Sequence, residues 1–227
     1  MISWALPMPG IRIVRLLVIS LFVGSMPATA QSSGAGASQN ATTATAEPTW
    51  SLRVSAATYF LPDEEDYLQP TVTADRGALH LESRYHYEGS RSLSAFVGWN
   101  LELGKTVKLE LTPMFGGVVG RTDGVIPALE MDFTWRRLEL YSEGEYVIDL
   151  GDRSNRFLYN WSELSVWAME WLRAGLVTQR TLVFRTPREI ERGFLVGATA
   201  SKVEGTFYLF NPASDDQFIV VSIGARF

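Results

Sequence analysis

The stretch "QFIVVSIGARF", residues 217–227, decides how the rest of the chain is read. From Ile219 onward every second residue is apolar: Ile219, Val221, Ile223, Ala225 and Phe227. Val220, Ser222, Gly224 and Arg226 take the places between. Side chains of a β-strand point alternately to opposite faces, so this is a strand with one apolar side and one mostly small or polar side. Such a strand could close a soluble sandwich or a membrane barrel. It also leaves an aromatic ring at its tip, one step after a charge, and the preceding chain has to say why.

Working upstream as far as Trp50, no helical periodicity exceeds two turns. Period-two segments of about ten residues recur between turn signals instead. In "ALHLESRYHYE" (78–88), Leu79, Leu81, Tyr85 and Tyr87 share one face, and His80, Glu82, Arg84, His86 and Glu88 share the other. In "LSAFVGWNLEL" (93–103), Leu93, Ala95, Val97, Trp99, Leu101 and Leu103 fall on one side. The predicted strands are 50–61, 67–75, 78–88, 93–103, 106–118, 125–135, 137–149, 156–168, 171–184, 193–203, 205–212 and 217–227. Tight joints are expected at Arg76-Gly77, Gly104-Lys105, Arg136, Met169-Glu170 and Glu204. Longer polar links are expected at "PDEED", "EGSR", "GRTDG", "GDRSNR", "TPREIER" and "ASDD". Short and long connections alternate without a break, as in an up-and-down barrel. Pro70 makes 67–75 the weakest strand, and losing it with one partner would leave ten.

The N-terminal residues set the compartment. Arg12 and Arg15 precede an apolar run from Leu16 to Val23 and a small-residue exit at Ala28-Thr29-Ala30. That order is a secretory signal peptide, expected to be cleaved after Ala30, and the run is short for a retained anchor. Losing two arginines would take the formal net charge from −5 to −7. Residues 31–48 are Ser, Ala, Gly and Thr with almost no apolar bulk, and read as a flexible leader. Residues 49–227 form the folded unit. The chain has no cysteine, which removes thiol catalysis and thiolate metal sites. An acidic balance without a basic stripe argues against nucleic acid as a partner.

A signal peptide, alternating strands, aromatics such as Trp99, Trp135, Tyr85 and Tyr87 near strand ends on the apolar face, and the final Phe227 together resemble a small Gram-negative outer-membrane β-barrel. The resemblance implies an all-β fold, a transmembrane up-and-down antiparallel barrel of twelve strands with ten as the alternative. It implies a bacterial outer-membrane location and lipid around the barrel. It also implies that Phe227 acts as an assembly signal read by the barrel assembly machinery, with the tight joints as periplasmic turns. It names no subfamily.

If the apolar face meets lipid, the other face lines the lumen. The lumen-lining candidates are Glu82, Arg84, Glu110, Glu130, Asp132, Glu139, Glu143, Glu163, Arg173 and Arg226, with Arg136 and Arg137 on the same face. Twelve strands about 4.8 Å apart, tilted about 40°, enclose a backbone radius of roughly 12 Å, about half of it filled by side chains. The expectation is a narrow channel for small solutes with a mainly acidic wall. The alternative is a closed, salt-bridged structural or interaction barrel without transport. A membrane-embedded hydrolase is the third reading. The only histidines, His80 and His86, would lie roughly 20 Å apart along one strand, and no Gly-x-Ser-x-Gly elbow exists. Asp149, Asp152 and Glu189 read as solvated loop charges. No catalytic residue, metal ligand or cofactor is therefore expected. Trp161, on an inward face, is expected as bulk that fills the barrel, with stacking on an arginine such as Arg173 as the alternative.

Overall fold

The structure is a computed structural model that describes residues 48–62, 65–183 and 189–227. The predicted signal peptide, and the leader up to Glu47, lie outside the described residues. The barrel is built from β1 (Ser51–Phe60), β2 (Tyr67–Arg76), β3 (Leu79–Tyr85), β4 (Leu93–Trp99, resuming as Leu101–Leu103), β5 (Val107–Val119) and β6 (Gly124–Trp135). It continues with β7 (Leu138–Asp149), β8 (Phe157–Met169), β9 (Leu172–Val183), β10 (Glu189–Ala200), β11 (Val203–Phe210) and β12 (Phe218–Arg226). Each strand pairs antiparallel with its sequence neighbours, and β1 pairs with β12, so the sheet closes on itself. The two halves of β4 both pair with β5, on either side of Asn100, and count as one strand. This is a closed twelve-stranded up-and-down β-barrel.

Alternation drives the closure. On β4, Ser94, Phe96 and Gly98 are buried while Leu93, Ala95, Val97 and Trp99 are exposed. On β12, Val220 and Gly224 are buried and Ile223 is exposed. The exposed side is apolar from strand to strand. It carries Leu101, Phe115, Leu176, Phe194 and Phe207, with Trp50, Trp99, Trp135 and Trp171 at the end where the turns are tight. Wet apolar surface on this scale would cost about 25 cal/mol per Å², and only a hydrocarbon surrounding removes that cost.

The strands depart from the sequence reading at three ends and at Pro70. The tight joint expected at Glu204 is a turn at Ser201-Lys202, with Ser201 at φ +56°. Glu204 belongs to β11, opposite Thr199. The expected link "TPREIER" is partly strand, because Ile190 and Glu191 pair with Arg180 and Gln179 and lengthen the β9–β10 hairpin. Strand 78–88 stops at Tyr85, since His86 takes φ +63° and breaks the alternation. Pro70 does not weaken β2, which pairs along both sides. Its ladder with β3 ends at Thr71↔Arg84, so the missing N–H costs no bond there. Among the tight turns, Gly104 is required: at φ +83° a Cβ would lie 2.0 Å from the Val107 carbonyl oxygen.

Candidate functional site

The lumen has two halves. Toward the longer loops it is filled by apolar and aromatic side chains. Phe210 stacks on Phe218 with ring centroids 4.6 Å apart, and Trp161 meets Tyr208 and Phe210 edge-on at 5.2 and 5.4 Å. Tyr59, Tyr159, Val177, Leu195 and Val220 complete this cluster. On the facing wall Phe96, Met114, Val118, Ile126 and Val147 form a second one. The Phe96 ring lies against Gly116, where a Cβ would approach it within 2.3 Å. Phe210, Ile126 and Val147 are wholly buried.

Arg84 sits between this layer and the wetter half. Its guanidinium is ion-paired with Glu82 and Glu143, reaches Glu145 at 3.1 Å, and lies 3.6 Å from Glu130 and 4.0 Å from Glu88. The Tyr87 and Phe96 rings flank it, with centroids 4.6 and 4.7 Å from its central carbon. One fully buried cation therefore serves five carboxylates. Such an arrangement is tolerable only where the geometry satisfies most of the lone pairs. Tyr87 donates to Glu143 at 3.0 Å. This corrects the expectation that Tyr87 faces lipid: the break at His86 turns it into the lumen.

Toward the tight turns the lumen opens into a cavity of about 790 Å³. Glu82, Arg84, Glu110, Glu130, Asp132, Glu139, Glu143, Glu163, Arg173 and Arg226 all line it. Ten carboxylates face it, against five lysines and arginines and His80. Arg173 binds Glu163 at 2.9 Å and Glu139 at 3.2 Å. Glu204 pairs with Arg53 and lies 3.6 Å from Arg226. The wall of β4, β5 and β6 differs. Glu102, Glu110 and Asp132 stand directly opposite one another on three successive strands. Among the described residues no basic side chain forms an ion pair with any of the three. Like charges in direct cross-strand register are destabilising, and such a row persists where water and mobile ions bathe it.

Other expectations fall differently. Trp161 fills the lumen within the aromatic layer, the first of its two expected roles, and does not stack on Arg173; its Nε1–H donates to Glu163 at 2.9 Å. Arg136 and Arg137 leave the lumen for the turn after β6, where Arg136 lies over the Trp135 ring and Arg137 donates to the Ala168 carbonyl. Asp149 accepts the N–H groups of Gly151 and Asp152, and Asp152 that of Ser154, so these carboxylates build their loop. The side chain of Glu189 is outside the described residues. His80, read from sequence as unable to join a metal cluster with His86, lies instead beside Glu82 and Glu130. Glu130 comes from β6, and sequence spacing could not place it there.

No family model and no curated protein matches the chain. Solved structures do match its fold. The KdgM porin in complex with disordered oligogalacturonate aligns with a TM-score of 0.57 at 9% identity, covering 77% of this chain and 99% of that one. The NanC porin aligns with a TM-score of 0.55 at 11% identity, covering 77% and 98%. The fold is that of a small outer-membrane β-barrel porin. Identity this low speaks for architecture alone, so the chemistry has to come from the lumen.

Proposed function

We propose that this protein is a narrow outer-membrane channel for small cationic or neutral solutes, with a cation-attracting vestibule at the tight-turn end. The observation that carries this is the row Glu102, Glu110 and Asp132, three carboxylates in register without a basic partner among the described residues. A wall of one sign inside a low-dielectric tube concentrates counter-ions and excludes co-ions. The KdgM structure holds oligogalacturonate, a polyanion, and an acidic vestibule would repel such a ligand. The solute class is therefore different. In this reading the tight turns face the periplasm, and Phe227, exposed at the lipid side of β12, is the mark read by the assembly machinery.

A second reading, a closed structural barrel, is favoured by one specific observation: buried aromatic and apolar side chains pack the loop half. The two readings separate in planar bilayers. A channel gives small, cation-preferring single-channel steps, and Phe210→Ala enlarges them. A structural barrel gives none in either form, and that result would reject transport.

A further inference from the structure

We propose that the vestibule holds a binding site for one divalent transition-metal ion, formed by His80 and Glu82 of β3 and Glu130 of β6. The site does not depend on conduction; it stands on the geometry of three side chains. Each offers a ligand atom, and these atoms lie within 4.8 Å of one another. His80 Nε2 and Glu82 Oε2 are 3.3 Å apart. That is the edge of a tetrahedron with metal–ligand bonds of about 2.05 Å, the length expected for imidazole and carboxylate on zinc. A small shift of Glu130 completes the third vertex, and the cavity they line supplies water for the fourth.

Two independent features point to a ligand. His80 is 5% exposed, and its Nδ1 is 2.8 Å from Asp75 Oδ1. A carboxylate on the far nitrogen of an imidazole holds Nδ1–H as donor and orients the ring, and the proton that Nε2 shares with Glu82 Oε2 leaves when a metal ion binds there. Asp75 is itself held by Asn100, whose amide donates at 2.8 Å, so the outer shell is anchored. Glu82 divides its oxygens, Oε1 to Arg84 and Oε2 to His80. The described bonds of Glu130 fall on its Oε1, from Tyr141 and Arg84, which leaves Oε2 for a ligand.

The second feature is charge. Around Arg84, Glu88 and Glu145 each keep one oxygen without a hydrogen-bond partner. Glu145 is 2% exposed and Glu88 4%. Arg84 alone cannot neutralise five carboxylates, and buried unpaired charge is costly. Glu82 and Glu130 belong both to the Arg84 cluster and to the His80 site, so a divalent ion there adds positive charge to the same set. One imidazole and two carboxylates suit zinc, manganese or iron better than magnesium or calcium, because the nitrogen donor is the discriminating ligand.

The test uses the purified full-length barrel in detergent, stripped with chelator and titrated with zinc sulfate by calorimetry, with heat-modifiable gel mobility as the check on folding. One equivalent should bind, and excess magnesium or calcium should not displace it. His80→Gln should abolish the saturable event. Asp75→Asn should weaken it about 10- to 100-fold while leaving all three ligands in place. His86→Gln should leave binding unchanged, since His86 packs on Tyr67 in the loop end. Equal zinc uptake by His80→Gln, or displacement by magnesium, would show a diffuse acidic wall and overturn the site. So would the absence of any saturable binding in the folded wild-type barrel.

Discussion

The loop half and the turn half of this lumen are made by the same strands with the same inward alternation, yet one is a dry core and the other a wet acidic chamber. On β8, Tyr159 and Trp161 lie in the dry half, and Glu163 begins the wet one. On β11 the passage runs the other way, from Glu204 through Thr206 to Tyr208 and Phe210. A barrel strand fixes only which residues face in. What faces in decides locally whether water follows. Arg84 marks the boundary, buried deeply enough to need partners and flanked by two rings that exclude solvent.

That boundary can be broken at its strongest point first. Arg84→Met leaves several buried carboxylates without their cation and should cost about 3–5 kcal/mol, read by urea unfolding of the micelle-bound barrel. A cost below about 1 kcal/mol would mean that the boundary is hydrated and the two halves are continuous. The face assignment beneath both halves is tested next: Val97→Arg, on the exposed side of β4, should cost about 2–4 kcal/mol near the membrane midplane. A neutral outcome would show that this side does not meet hydrocarbon.

Smaller effects sharpen the contrast. Ile126→Val, in the packed half, should cost about 0.5–1.5 kcal/mol. An effect near zero would indicate a loose interior on the dry side. The double change Glu110→Gln with Asp132→Asn, in the wet half, should leave stability unchanged or improve it by a few tenths of a kcal/mol, because it relieves facing like charges. The same variant should lose cation preference in bilayers. Selectivity that survives neutralisation would assign it to another part of the wall.

Much of the barrel was legible because its information is local. Alternation gave the faces of β3, β4 and β12, and the rhythm of short and long links gave twelve strands. Tyr87 was misplaced because one residue at positive φ resets the period, and nothing in "RYHYE" announces it. The closure of the loop half left a signal that charge counting passed over. In "FYLF" and "FIVV" both faces are apolar, and a strand flanked by lipid has no use for a second apolar face unless the lumen beside it is packed. The clusters around Arg84 and His80 could not be read at all. They join β3 to β6 and β7, and only the curvature and shear of the closed sheet bring those walls together.

The pairing of β1 with β12 has a kinetic meaning. It is the one ladder that joins the two extremes of the barrel sequence, Arg53 opposite Arg226 and Phe60 opposite Ile219. Every other hairpin can zip from a nearby turn, whereas this seam must wait for the rest of the sheet to curl. Until it forms, two full edges of unsatisfied backbone are open to any passing strand, including that of another copy. Glu204, between Arg53 and Arg226 on the inner surface, reaches both strands of that junction. It serves as a clasp on the last joint to close.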